Sequence, residues 1–216
     1  TKIDKNLLKR VRKIEAEQEF KYSETYLTYT TIPWEGATPF WLLGCLNTSA
    51  LGPGQVSQRV GTKTANKRLD MRIVLRQQPG NVYDDRIRMC IFWFKNSNGA
   101  SPTLATLFDQ SLVAGGTYNF FNDQYKESYK VIHDETFDMK PIAWDGNPAG
   151  ICIGDVVSIN RSIKLNRTSR FVTGTGAGTY VDILDNALYI AFMTSTQYNA
   201  TNAQVLFQSR CWYYDD

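Results

Sequence analysis

Residues 67–77, KRLDMRIVLRQ, alternate with a period of two. Leu69, Met71, Ile73 and Leu75 fall on one side, and Arg68, Asp70, Arg72 and Arg76 on the other. Successive side chains of an extended chain point to opposite faces. The pattern therefore predicts a half-buried antiparallel strand, apolar side inward and charged side to solvent. A slip of one residue would carry three arginines into the core, so the register is strongly specified.

Segments of strand composition follow one another on both sides of this stretch. They are 18–32, 38–46, 67–77, 86–95, 128–138, 156–165, 187–195 and 203–214. Turn signals separate several of them: PGN at 79–81, NSNGASP at 96–102, DGNPAG at 145–150 and TGTGAGT at 173–179. One helical turn is expected at 102–109, PTLATLFD, with proline at its start. Strands without βαβ alternation leave a two-sheet sandwich or a barrel. Eight is the jelly-roll number, and the Cys–Trp–Cys pattern of an immunoglobulin sandwich is missing. The expected fold is all-β, an eight-stranded antiparallel jelly-roll sandwich with a short N-terminal amphipathic helix.

Composition agrees with one large domain. The 216 residues are 43% hydrophobic and 13% aromatic, enough to bury a core, and the formal charge is only +3. No apolar run approaches the roughly 18–20 residues that span a bilayer, and the first residues do not have the form of a signal peptide. The chain divides into a basic arm, residues 1–17, and a jelly-roll domain, residues 18–216.

FVTGTGAGTY, residues 171–180, carries three glycines and invites comparison with a phosphate-binding loop. The spacing is G-x-G-x-G rather than G-x-G-x-x-G, and no Lys-Ser/Thr follows. The next residues, YVDILDNALYIAFMT, read as strand, so no helix N-terminus faces the loop to hold an anion. A loop between strands is the better reading.

Residues that carry enzyme chemistry are sparse. His133 is the single histidine, and it falls within a strand pattern. Acidic residues gather at Asp84–Asp85, at Asp134, Glu135 and Asp138, and at Asp215–Asp216, in no metal-loop spacing. Solvated turns and strand ends account for them, with a cation site between subunits as the lesser reading. Cys45, Cys90, Cys152 and Cys211 form no C-x-x-C pair and read as buried thiols. The sequons at Asn47, Asn160, Asn166 and Asn199 follow from the high Asn and Thr content. Nothing argues for an enzyme, and no cofactor is expected.

Four stretches in order resemble capsid proteins of small circular Rep-encoding single-stranded DNA viruses, and the related single-jelly-roll coats of plant satellite RNA viruses. They are GPGQVSQRVGTKTANKRLDMRIVL (52–75), RIRMCIFWFKNSNGASPTLATLFD (86–109), YNFFNDQYKESYKVIHDETFDM (118–139) and the tail 185–216. The resemblance covers about residues 18–216, with a short Lys/Arg segment where such coats carry a long Arg-rich arm. It implies a coat that self-assembles into a small icosahedral (T=1) shell of sixty subunits and packages single-stranded nucleic acid, DNA in the first group. It implies residence in the virion, with assembly in the host nucleus or cytoplasm, and leaves the host receptor open. The competing readings are a non-viral β-sandwich module that binds carbohydrate or another ligand, and a hydrolase on the same fold.

Two sets of cations are candidates for the genome contact. In TKIDKNLLKRVRKIEAE, residues 1–17, Ile3, Leu7, Val11 and Ile14 fall on one helical face with Leu8 at its margin. Lys2, Lys5, Lys9, Arg10, Arg12 and Lys13 lie on the opposite side. That pattern predicts an amphipathic helix that packs on its own sandwich or with neighbouring copies. A membrane-surface role is weaker, because the apolar face has no Trp or Phe. Satellite-virus coats place N-terminal helices near symmetry axes, which supports packing between copies with the basic sides facing the genome. The second set is the strand row Arg68, Arg72 and Arg76, which either meets phosphate or is simply solvated.

Overall fold

The computed structural model describes residues 20–33, 41–52, 57–78, 84–109, 117–140, 155–173, 177–195 and 202–215. The expected helix at 1–17 lies outside these residues. Eleven strands are present among them: β1 (Lys21–Thr31), β2 (Leu42–Cys45), β3 (Ala50–Leu51), β4 (Gln58–Arg59), β5 (Lys63–Arg76) and β6 (Asp85–Phe94). The rest are β7 (Tyr129–Met139), β8 (Val156–Phe171), β9 (Ile183–Asp185), β10 (Ala187–Thr194) and β11 (Gln204–Asp215). The eight expected strands are β1, β2, β5, β6, β7, β8, β10 and β11. The short β3, β4 and β9 were not anticipated.

Two antiparallel sheets make the sandwich. One runs β1-β11-β5-β8-β9 and the other β2-β10-β6-β7. Among the eight main strands the first pairs with the last (β1 with β11) and the second with the seventh (β2 with β10). The third pairs with the sixth (β5 with β8) and the fourth with the fifth (β6 with β7). Rolling this long hairpin then sets β11 against β5 and β10 against β6. That strand order is a jelly roll.

The alternation in β5 sets the register of the larger sheet. Leu69, Met71, Ile73 and Leu75 are buried, and Ile73 lies opposite Phe207 on β11 and Ile159 on β8, both also buried. β10, ALYIAFMT, is buried at every position, because both faces of the smaller sheet are covered. Leu188, Ile190 and Phe192 join the inter-sheet core. Ala187, Tyr189, Ala191 and Met193 point the other way, onto Trp41, Leu104, Leu107 and Phe108. A strand buried on both sides reads as a continuous apolar run rather than an alternation.

The cover over that second face comes from the β6–β7 connection. Its one-turn helix α1 (Leu104–Leu107) is capped by Thr103, whose hydroxyl accepts from the Thr106 N–H, and buries Leu104 and Leu107. Arg88 lies beneath this cover. It holds Asp134 with two hydrogen bonds of 2.8 and 2.7 Å, and its guanidinium lies 4.6 Å from the Phe108 ring and 4.9 Å from Phe121.

The structure departs from the sequence expectation in three places. β5 begins at Lys63 rather than Lys67, and β8 runs to Phe171 rather than Leu165. The extra length, with sequence NRTSR on β8, is polar, yet its ladder is completed by buried polar pairing: Asn66 donates to Ser169 Oγ at 2.8 Å and to the Arg167 carbonyl at 3.1 Å. The residues after the glycines do not run straight into a strand. A 3-10 turn (Tyr180–Asp182), β9, and Asn186 at φ 57° come before β10. Residues 174–176 of the glycine stretch lie outside the described residues, and Gly178 is fixed by geometry. It has φ +67°, and a Cβ there would lie 2.5 Å from the Ala50 nitrogen.

Cys90 and Cys211 are buried free thiols. Burial also pushes the Cys45 thiol up to about 12. Asn47 is buried where β2 ends, so its sequon is inaccessible in the folded chain. Its amide donates to Ser169 Oγ at 2.8 Å and to the Asn186 carbonyl at 3.0 Å, and its carbonyl accepts the Leu188 N–H at 2.8 Å. One side chain thus ties β2, β8 and β10 together. Asn47→Ala leaves the buried Leu188 N–H without its acceptor. It should lower stability by about 2–3 kcal/mol in urea unfolding, whereas a loss under about 0.5 kcal/mol would contradict the assignment.

Candidate nucleic-acid interface

The parity that buries Leu69 to Leu75 sends their alternate neighbours to the outer face of the five-stranded sheet. Because the pairing is in register, the outward side chains form rows across β1, β11, β5 and β8. One row is Tyr22, Trp212, Arg68 and Lys164. The next is Glu24, Arg210, Asp70 and Ser162. The third is Tyr26, Gln208, Arg72 and Asn160. Arg76 lies further along β5, opposite Gln204.

The middle row neutralises itself. Arg210 pairs with Glu24 at 3.2 Å. Asp70 takes Arg68 at 3.0 Å, the Trp212 indole N–H at 2.7 Å and the Ser162 hydroxyl at 2.7 Å. The aromatic end of the first row is also packed. Phe20 stacks on Trp212 at 5.4 Å and meets Tyr214 edge-on at 4.7 Å, and the Arg68 guanidinium lies 5.1 Å from the indole ring. Arg76 is held by Gln204, at 2.9 and 2.7 Å, and by the Tyr29 ring at 3.6 Å.

Two cations of these rows, Arg72 and Lys164, have no ion pair or hydrogen bond among the described residues. Lys164 moreover lies directly opposite Arg68. Like charges at facing positions of a sheet are unfavourable, an effect offset for Arg68 by its pairing with Asp70. The three rows contain Arg68, Arg72, Lys164 and Arg210 against Glu24 and Asp70. Between them lies a shallow concavity of about 790 Å³, lined by Asp70, Arg72, Asn160, Ser162, Arg210 and Trp212 among others. A face with unneutralised guanidinium and ammonium groups beside aromatic rings suits a polyanion with stackable bases.

Of the cations singled out from sequence, Arg68, Arg72 and Arg76 share this face, and Arg72 has no partner on it. Lys2, Lys5, Lys9, Arg10, Arg12 and Lys13 lie outside the described residues. Phe20, packed on Trp212, anchors the first described residue to the outer face. Lys13 is seven residues earlier, a reach of roughly 25 Å at full extension. Sequence reading missed Tyr26, Lys164, Gln208, Arg210 and Trp212. The even-numbered positions of 156–165 and 203–214 carry the signal, but Val156 and Leu206 interrupt it.

The other candidates have structural partners. His133 Nε2 lies 2.9 Å from Glu135, which also pairs with Arg161 at 3.0 Å. Asp138 pairs with Arg86, and Asp85 is buried and accepts from Thr194 Oγ1. Asp215 holds Lys21 at 2.7 Å, which ties the start of β1 to the end of β11.

No family model matches the sequence, and no curated protein matches it. A solved structure described as the crystal structure of a 60-mer BFDV capsid protein is similar over 92% of this chain and 95% of that chain. The two are 10% identical, with a TM-score of 0.31.

Lys164→Glu would replace the repulsion with Arg68 by attraction. Thermal and urea unfolding should show a gain of about 0.5 kcal/mol. If Lys164 meets phosphate, affinity for a single-stranded oligonucleotide should fall several-fold at the same time. A variant equally good at binding would remove Lys164 from the interface.

Proposed function

We propose that this chain is a viral coat protein that self-assembles into a small icosahedral shell of sixty subunits and packages a single-stranded genome, DNA on the sequence resemblance. The observation that carries the reading is the asymmetry of the jelly roll. One sheet has its outer face covered by apolar side chains, and the other, among the described residues, leaves a face rich in cations uncovered. Phe20, three residues after the basic segment 1–17, packs on that face. Fold alone does not assign function, since jelly rolls also serve lectins and cupins. The charge distribution and the ordered sequence resemblance favour the coat.

The mechanism is association. Copies bury surface against one another in closed symmetry. The arm and the open sheet face meet phosphate, and each neutralised phosphate releases counterions, so binding weakens steeply with salt. Such a chain resides in the virion and uses the host nucleus or cytoplasm only for assembly. Its partners are other copies and nucleic acid; no membrane contact and no cofactor enter the scheme.

Negative-stain microscopy and light scattering of the purified full chain test the assembly. Uniform particles containing nuclease-protected nucleic acid are expected. A variant with Lys5, Lys9, Arg12 and Lys13 changed to glutamine should remain folded and lose most of that cargo, read as a fall in the 260/280 nm absorbance ratio. A chain that stays monomeric at high concentration would favour the ligand-binding module instead. Unchanged cargo in the variant would remove the arm from packaging.

A further inference from the structure

We infer that the row Tyr26, Gln208, Arg72 and Asn160 is a nucleotide subsite that engages a base by stacking, so that the open face holds bases as well as phosphates. This rests on the packaging function proposed above and adds a specific contact to it.

Tyr26 differs from the other aromatic residues of the face. Tyr22 packs on Trp212 and under Arg210, Tyr29 under Arg76, Trp212 between Phe20 and Arg68, and Tyr214 against Phe20 and Lys67. Tyr26 is 73% exposed and has no ring or cation partner among the described residues. The same row contains Arg72, which is likewise unpartnered there, and Asn160, whose side-chain amide makes no hydrogen bond among the described residues. Gln208 lies between Tyr26 and Arg72 and donates to Glu24 at 2.8 Å.

Three unsatisfied groups of complementary chemistry therefore fall on one line of the sheet. Tyr26 and Arg72 are two strands apart, roughly 10 Å between backbones. Their side chains thus span one nucleotide: an aromatic face for the base and a guanidinium for the adjoining phosphate. Asn160 lies one strand beyond Arg72, within reach of the next sugar or base. The occupant is a single strand rather than a duplex, because stacking on a side chain requires an unpaired base. The twofold reading of a cationic face, phosphate alone or phosphate and base, is decided by Tyr26.

The arm does not obscure the test. Residues 1–17 contain no Phe, Trp or Tyr, so it supplies charge without a stacking surface. Binding of the full chain to fluorescein-labelled dT12 is compared with an abasic strand of the same length by fluorescence anisotropy. The wild-type chain should prefer dT12 by about tenfold. Tyr26→Ala should erase that preference and leave abasic affinity unchanged, and Tyr26→Phe should retain it. Arg72→Gln should weaken both strands and reduce the slope of log K against log salt by about 0.7. Both side chains are solvent-facing, and an unchanged melting temperature verifies folding. Equal binding of the two strands by the wild type, or a preference that survives Tyr26→Ala, overturns the subsite and leaves packaging intact. No binding of either strand at low salt overturns the packaging function along with it.

Discussion

β5 is paired on both edges and packed on one face, and that arrangement dictates where its charges go. With β11 on one side and β8 on the other, the strand cannot slide without breaking two ladders. With Leu69, Met71, Ile73 and Leu75 in the core, it cannot flip without burying Arg68, Arg72 and Arg76. Ionised groups do not enter an apolar core without a partner, so the parity is enforced by several kcal/mol. Every cross-strand row on the outer face inherits its alignment from this strand.

The two sheets solve the problem of their outer faces differently. On the smaller sheet, Cys90, Phe92, Tyr189, Ala191 and Met193 are apolar, and the chain covers them with α1 and the aromatic residues around it. That cover is itself bound by Arg88, whose buried guanidinium has Asp134, the Asn119 carbonyl and two rings as partners. On the larger sheet most outer residues are charged, polar or aromatic, with Leu206, Val74 and Val156 as apolar exceptions. Many are satisfied within the face, while Arg72 and Tyr26 have no partners among the described residues. Placing Lys164 opposite Arg68 is locally unfavourable. On the packaging function proposed above, a bound polyanion would convert that repulsion into affinity.

Much of the fold was legible because β5 shows clean periodicity over residues 67–76 and β10 a dense apolar run. The last part of β8 was hidden, because NRTSR looks like loop sequence; its one buried side chain, Ser169, is held by Asn66 and Asn47, which are far away in the chain and meet it only in the folded state. The turn at Tyr180–Asp182 was hidden for a similar reason. Its residues have strand propensity, and the Thr179 N–H donating to the Asp182 carboxylate at 3.0 Å overrides it. The site was half legible. Arg68, Arg72 and Arg76 stand out within one segment, whereas Tyr26, Gln208 and Asn160 join Arg72 only through pairings of strands distant in sequence. No local pattern announces such a row.

A cryo-electron microscopy reconstruction of particles from the full chain shows whether the cationic face of the five-stranded sheet meets the genome in the proposed shell. A closed shell is expected, with β1, β11, β5 and β8 lining the lumen and nucleic-acid density against Tyr26 and Arg72. A shell with that face turned to the exterior, or with it buried between copies and density elsewhere, would contradict the proposal.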